Sequence, residues 1–379
     1  MSSQPKVMVI YGTRPEAIKV APLIKALEAS DELDVVTVIT AQHREMLDQV
    51  NEVFDIAPDV DLNLMKPGQT LNQIASRVLS ELEQVFDDHQ PAAVLVQGDT
   101  TTVMAAGVAA FNRSIPVVHL EAGLRSGNLF SPFPEEGNRK LVSQIASLHL
   151  APTEVSKANL LADGVAEDTI VVTGNTVIDA LHWAVAEQRP FSDPALAEIV
   201  EQGKQVLLVT THRRENIGEN MGNIGRAMRR IAERYPELVL VWPAHKNPKV
   251  RETIQPLIDG LPNVLQIEPV AYAEFSHLIS ASHIVLTDSG GIQEEAPSLG
   301  KPVLVLRENT ERPEAVTAGT VKLIGAQEDD IVTEVTTLMD DQSAYTTMAN
   351  AVNPYGDGRS SARCVEAMAK LLSADVAQV

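Results

Sequence analysis

Short apolar runs, each four to six residues long, recur along this chain with amphipathic segments between them, and no other feature restricts its fold so strongly. The first series is Lys6–Tyr11, Val35–Thr40, Ala93–Gln97, Pro116–Leu120 and Ile170–Thr173. A second comprises Gln205–Thr210, Leu238–Trp242, Val264–Ile267, His283–Thr287 and Pro302–Leu306. Runs that are apolar throughout suit strands buried on both faces of a parallel sheet. The periodicity predicts helices between them, the first turning out of Gly12–Lys19 and running to about Leu27, the others near residues 43–53, 71–86, 101–112, 135–146 and 154–162 in the first half. Such alternation predicts an α/β fold of doubly wound, Rossmann-like sheets. Residues 188–204 bring Pro190, Ser192, Pro194 and Gly203 with little core, which marks a domain boundary. Two domains are therefore expected, 1–187 and 205–379, with the last helix free to pack back on the N-terminal one. Ligands of such sheets collect beyond the carboxyl ends of the strands, so the active site is expected in a cleft between the two domains.

Composition narrows the function. The 379 residues are 44% hydrophobic and 21% charged, as in a soluble globular protein. No apolar stretch approaches the ~18–20 residues that span a bilayer, and no signal-like segment opens the chain. One cysteine, Cys364, permits no internal disulfide, which fits a reducing cytoplasm. The net charge of −21 argues against nucleic acid or an anionic membrane as partner. An anionic substrate would therefore need a local field of arginine and lysine.

Polar residues gather where the runs end. Gly12-Thr13-Arg14, with Lys19 one turn on, follows the first; Gly98-Asp99-Thr100 and His119-Leu120-Glu121 follow two others. In the second half, His212-Arg213-Arg214 and His245 hold such positions. So does Asp288-Ser289-Gly290-Gly291, whose Ser289, Gly290 and Gly291 are expected to form a strand-to-helix turn with backbone N–H groups available to a phosphate. The helix after it is predicted over 293–299, with Glu294 and Glu295 one turn in, within reach of a ribose diol. Each feature also has a plain structural account: Asp99 as a helix cap, Glu121 paired with Arg125, Glu135 and Glu136 as acids of a first helical turn. Arg14, Lys19, Arg213 and Arg312 supply cations suited to a diphosphate, whereas Arg214 reads as solvated. No histidine spacing suggests a metal site, and the first turn lacks Gly-x-Gly-x-x-Gly. Three classes remain on this reading: a glycosyltransferase of the two-Rossmann-domain type using a nucleotide sugar, an enzyme rearranging a nucleotide sugar, or a hinged binding protein, the last disfavoured by the absence of an export signal and by the single reduced cysteine.

A series of motifs then points to one family. In order they are Gly12-Thr13-Arg14-Pro15-Glu16-Ala17-Ile18-Lys19, Thr40-Ala41-Gln42-His43-Arg44, Gly98-Asp99-Thr100-Thr101, His119 through Arg125, Pro134-Glu135-Glu136 and Thr173 through Asp179. His212-Arg213-Arg214-Glu215, Leu286 through Gly300, Thr310-Glu311-Arg312-Pro313-Glu314 and Asn353 through Gly358 complete the set. Together they resemble the bacterial non-hydrolysing UDP-N-acetylglucosamine 2-epimerases over nearly the whole chain. The resemblance implies two Rossmann-like domains arranged as in GT-B glycosyltransferases, a cytoplasmic homodimer, and no metal or nicotinamide cofactor. It implies interconversion of UDP-N-acetylglucosamine and UDP-N-acetylmannosamine, by elimination of UDP and re-addition through 2-acetamidoglucal, for cell-surface polysaccharides. Asp99, Glu121 and Glu135 become acid–base groups, with His212 near the departing phosphate. Arg14, Lys19, His212, Phe275, Ser289, Gly290, Gly291, Glu295 and Arg312 become substrate contacts, Glu295 at the ribose. Gln42, His43, Glu136, Arg213 and His245 match a second, activating site for UDP-N-acetylglucosamine. There the chain departs from the pattern, with Gly68 where some members place an arginine and Glu45 where they place a glutamine.

Overall fold

A computed structural model describes residues 4–40, 44–64, 66, 68–187 and 189–376. By its contacts the chain divides into two compact units, Met1–Ala180 with Tyr355–Val379, and Leu181–Pro354. Among the described residues the first unit holds a parallel sheet of β1 (Lys6–Tyr11), β2 (Asp34–Ile39), β3 (Val60–Asp61), β4 (Ala93–Gln97), β5 (Val117–Leu120), β6 (Leu148–Ala151) and β7 (Ile170–Val172). Their spatial order is β3-β2-β1-β4-β5-β6-β7. The second unit holds β8 (Val206–Thr210), β9 (Val239–Pro243), β10 (Val264–Ile267), β11 (Ile284–Thr287), β12 (Val303–Val305) and β13 (Val321–Leu323), in the order β10-β9-β8-β11-β12-β13.

Both sheets therefore reverse direction of growth at one place, between β1 and β4 and between β8 and β11. At that point the flanking loops diverge and leave a crevice beyond the strand ends. Register brings the ends level. Ile10 pairs with Val96 in the first sheet, and Thr210 with Thr287 in the second, where the two hydroxyls lie 2.6 Å apart. The apolar runs are buried as their composition requires: Val7, Met8, Val9 and Tyr11 have no exposed surface, nor do Leu207, Leu208 and Val209. Helices cover the faces. Val78, Leu82 and Phe86 of Leu71–His89 and Val103, Ala106 and Ala110 of Thr101–Asn112 pack on the first sheet, with Ile224, Met228 and Ile231 of Glu219–Arg234 on the second.

Three strands escape the sequence reading: β3, β6 and β13, of two to four residues each. A polar residue interrupts each of them: Asp61, His149 and Lys322. The region 188–204 also holds more structure than its composition suggests. Pro194–Glu201 is a helix, capped by Asp193 through the amides of Ala195 and Leu196, with Leu196 fully buried.

Candidate active site

In the first unit, the turn after β1 looks like an anion hole, but the protein fills it. Glu16 Oε2 accepts from the backbone amides of Gly12 and Thr13 at 2.7 and 2.8 Å, and Oε1 accepts from the Thr100 hydroxyl at 2.6 Å. Burial pushes the Glu16 carboxyl up from its usual pKa, and those hydrogen bonds offset only part of it. The side chain ties the loops after β1 and β4 together across the switch point, and a pyrophosphate cannot use the same amides. Arg14 and Lys19 project from the helix Arg14–Glu28 that this box starts.

Beyond β4 and β5 lies a group of carboxylates. Glu121 accepts from Gln97 Nε2 at 2.6 Å, from Asn175 Nδ2 at 3.2 Å, and from the Lys19 ammonium. Its backbone is left-handed, with φ at +63°, a conformation costly for a residue with a side chain and one that concentrates at functional sites. Asp99 faces Arg139, whose Nη2 lies 2.5 Å from Oδ2, and its backbone carbonyl accepts from Asn138 Nδ2 at 2.8 Å. Burial raises the Asp99 pKa above the usual value; Arg139 opposes the shift and the charge of Glu121 adds to it. Asp99 is not the helix cap, because Thr100 takes that position and accepts from the Val103 amide. Glu121 is not paired with Arg125, whose Nε donates to Asp163 at 2.7 Å.

Glu135 and Glu136 open the helix Glu135–Ile145 but meet different surroundings. Glu135 is half-buried. Glu136 has no exposed surface and accepts from the amides of Ser126 and Gly127 and from Arg139 Nη1. Burial would raise its pKa, but these donors outweigh it and hold the carboxyl below the ordinary range. Arg139 thus bridges Asp99 and Glu136. It is absent from the sequence reading, although it stands three residues after Glu136 on the same helix face. His119 belongs to the core: Nε2 donates to the Gly98 carbonyl at 2.8 Å, and burial above all drops its pKa to about 4.

In the second unit a carboxylate again occupies the first turn. Asp288, fully buried at the end of β11, accepts from the amides of His212 at 3.1 Å and Arg213 at 3.0 Å, and from Asn216 Nδ2 at 3.1 Å. The His212 Nδ1 lies 3.0 Å from its Oδ1, which turns the other ring nitrogen away from the carboxylate. Burial would raise the Asp288 pKa, but the His212 ring and these amides keep it below the usual carboxylate range. The His245 ring stands 5.9 Å from that of His212, and its pKa is lowered, first by burial and then by His212.

The phosphate-type turn follows Asp288. The helix begins at Gly290, three residues earlier than glycine's poor helix propensity suggests, with Ser289 as N-cap. Gly290 and Gly291 are therefore its first turn, and no side-chain cap closes it. A Cβ on Gly290 would lie 2.6 Å from Arg312 Nη1, so the guanidinium rests directly against the backbone here. Arg312 Nε donates to the buried Glu294 at 2.5 Å, and Glu295 Oε1 accepts from the Tyr272 hydroxyl at 3.4 Å. Phe275 is half-buried on the helix Tyr272–Ala281. Arg307, just past β12, was also missed, though it meets the same strand-end criterion as the other arginines. Gln42 and His43 lie outside the described residues. Gly68 is described and a Cβ there would meet open space, whereas the Glu45 side chain lies outside the description. Among the described residues no group of three or more His, Cys, Asp or Glu is arranged to hold a metal ion, and no helix is long and apolar enough to cross a membrane.

Known proteins resemble this chain over nearly its whole length. A family model described as UDP-N-acetylglucosamine 2-epimerase matches residues 25–369. The UDP-N-acetylglucosamine 2-epimerase of Salmonella typhimurium is 51% identical over 369 residues, 96% of this chain and 98% of that protein. The crystal structure of UDP-GlcNAc 2-epimerase from Neisseria meningitidis bound to UDP-GlcNAc is 50% identical, with a TM-score of 0.82 over 96% of this chain and 100% of that one. The S. aureus MnaA-UDP co-structure is 46% identical, with a TM-score of 0.84 over 98% and 97% of the two chains.

Proposed function

The chain belongs to the UDP-N-acetylglucosamine 2-epimerase family, and from that membership we propose that it interconverts UDP-N-acetylglucosamine and UDP-N-acetylmannosamine without hydrolysis. One observation supports the reading above the others. Asp99 and Glu121 are neighbouring carboxylates in unlike surroundings, the first half-buried against Arg139 with a raised pKa, the second fixed by three donors. Unlike environments are how one site supplies both an acid and a base.

The C2 proton of the sugar is not acidic enough to be removed and returned directly. In the reaction we propose, a base takes it while the C1–O bond to UDP breaks, the electron pair forming a C1=C2 double bond and leaving 2-acetamidoglucal beside UDP. Protonation of C2 from the opposite face, with UDP returning to C1, inverts the centre. Asp99, Glu121 and Glu135 serve as the acid–base groups, worth about 10²–10⁴-fold each. His212, Arg14, Lys19 and Arg312 meet the charge that builds on the diphosphate. Ser289, Gly290 and Gly291 hold a phosphate at the open first turn of their helix, Glu295 the ribose, and Phe275 the uracil side.

Incubation with UDP-N-acetylglucosamine in D₂O, followed by NMR, tests the reaction. Deuterium is expected at C2 of both epimers, with slow leakage of UDP and 2-acetamidoglucal. Epimerisation that keeps the C2 proton would exclude elimination. A glycosyltransferase would leave C2 untouched and move the sugar only when given an acceptor.

Arg213 and His245, beside His212, are proposed to take a second, activating UDP-N-acetylglucosamine; Glu136, fully engaged by its own loop, would act there through that loop. Pure UDP-N-acetylmannosamine should then react with a lag that added UDP-N-acetylglucosamine abolishes, and a full initial rate without it would exclude the site. A cytoplasmic homodimer completes the reading, supported by the exposed Phe111, Phe130, Phe133 and Leu141 of the first unit. Light scattering at micromolar concentration measures that state directly.

A further inference from the structure

Three arginines of the second unit converge on one carboxylate. Glu311 Oε1 accepts from Arg312 Nη1 at 2.9 Å and Arg213 Nη2 at 3.2 Å, and Oε2 accepts from Arg307 Nη1 at 2.8 Å. The same Oε1 lies 3.0 Å from where a Cβ on Gly290 would stand, so the carboxylate sits against the open end of the helix Gly290–Ser298. Two of the three arginines are anchored twice. Arg312 keeps Glu294 at 2.5 Å, and Arg307 keeps Glu215 at 2.9 Å, when Glu311 is taken away. Arg213 Nε is buried with no hydrogen-bond partner among the described residues.

Charge decides what this arrangement can accept. Arg213, Arg307 and Arg312 are balanced by Glu215, Glu294 and Glu311, so the cradle is neutral as it stands. A diphosphate added to it would put several negative charges beside Glu311 with no cation to spare. With Glu311 swung away, a net positive charge faces the helix end, and charge-assisted contacts to phosphate oxygens become available. Glu311 can move, since it lies in the loop before Pro313 with its side chain about half exposed.

We propose that Glu311 is a displaceable internal counter-anion: its carboxylate fills the phosphate cradle of the second unit, and a diphosphate binds by replacing it. This rests on the reading of Ser289–Gly291 and Arg312 as the UDP anchor. The exchange makes the cradle selective. A lone inorganic anion gains little over the carboxylate it expels, whereas a nucleotide diphosphate adds its ribose and base contacts.

Calorimetric titration of the whole protein with UDP, inorganic pyrophosphate and uridine tests the exchange. Glu311→Gln should tighten UDP and pyrophosphate by about five-fold or more, the scale of one charge-assisted contact no longer competed for, and leave uridine unchanged. Glu311→Asp, still charged but one methylene shorter, should show a smaller gain and guards against misfolding of the first variant. Diphosphate binding that is equal or weaker in both variants overturns the proposal, as does an equal gain for uridine. A wild-type protein that binds no UDP at all would instead remove the nucleotide reading, and this one with it.

Discussion

Arg139 sits between two carboxylates, and its loss should be felt most at Asp99. Burial already pushes the Asp99 pKa up, and the guanidinium is the main influence holding it down. Removing the cation lets the carboxyl keep its proton to higher pH. If Asp99 is the base in one direction, Arg139→Leu should move the acid limb of the kcat/KM–pH profile to higher pH, which a rate profile reads directly. Asp99→Asn and Glu121→Gln should each lower kcat by at least about 10²-fold while UDP still binds. Near-normal turnover in either would return that residue to a structural role. Asp99 and Glu121 were legible because each ends an apolar run, where doubly wound sheets present polar groups. Arg139 was not, because it follows Asp99 by some forty residues and meets it only once β4 and β5 pair. His119 shows the converse, for it sits in the same motif as Glu121 yet points into the core, and one-dimensional spacing carries no sign of which way a side chain faces.

Two glycines separate what an element needs for binding from what it needs to fold. A methyl on Gly290 would meet the far end of the Arg312 side chain at 2.6 Å, and a flexible guanidinium can shift. Gly290→Ala should therefore fold with nearly unchanged Tm but bind UDP about ten-fold more weakly, as a displaced charge-assisted contact would. Gly123 differs in kind, with φ at +94° and the Ser156 carbonyl oxygen 2.2 Å from its would-be Cβ. Backbone cannot yield as a side chain does, and Gly123→Ala should cost more than about 2 kcal/mol, seen as a fall in Tm with whatever folds still binding UDP. Both glycines stand in motifs shared with the family, and the motif alone does not say which serves which purpose. Element type was legible in apolar runs of four residues or more, Ile170–Thr173 and Val264–Ile267 included, and was lost where His149 or Lys322 broke the pattern. The helix start at Gly290 was not, since propensity argues against glycine there and the N-cap at Ser289 prevails.

The two sheets repeat one topology without repeating a sequence, since strand order is fixed by handedness and burial rather than by particular residues. Alternation predicted parallel sheets with polar groups at their strand ends, but the strand order, and with it the two switch points, comes from the structure. What alternation could not give is how the chain's end is held. Tyr355–Val379 belongs to the first unit, where Asn175 N donates to the Tyr355 carbonyl at 2.7 Å. Asp179 accepts from the amides of Ser360 and Ser361 at 3.2 and 2.7 Å, satisfying the first turn of the last helix. Asn175 in turn donates to Glu121, so residues far along the chain support the loop behind a proposed acid–base group. Asp179→Ala should remove a helix-capping carboxylate worth about 1–2 kcal/mol and lower the Tm of the first unit. With Asn175 less firmly held, kcat should fall several-fold, while the Kd for UDP, whose proposed anchor is mainly in the second unit, should change by less than about two-fold. Calorimetric melting and UDP titration on one sample measure both. A UDP affinity that falls in step with kcat would show that anchoring and chemistry are not divided between the units.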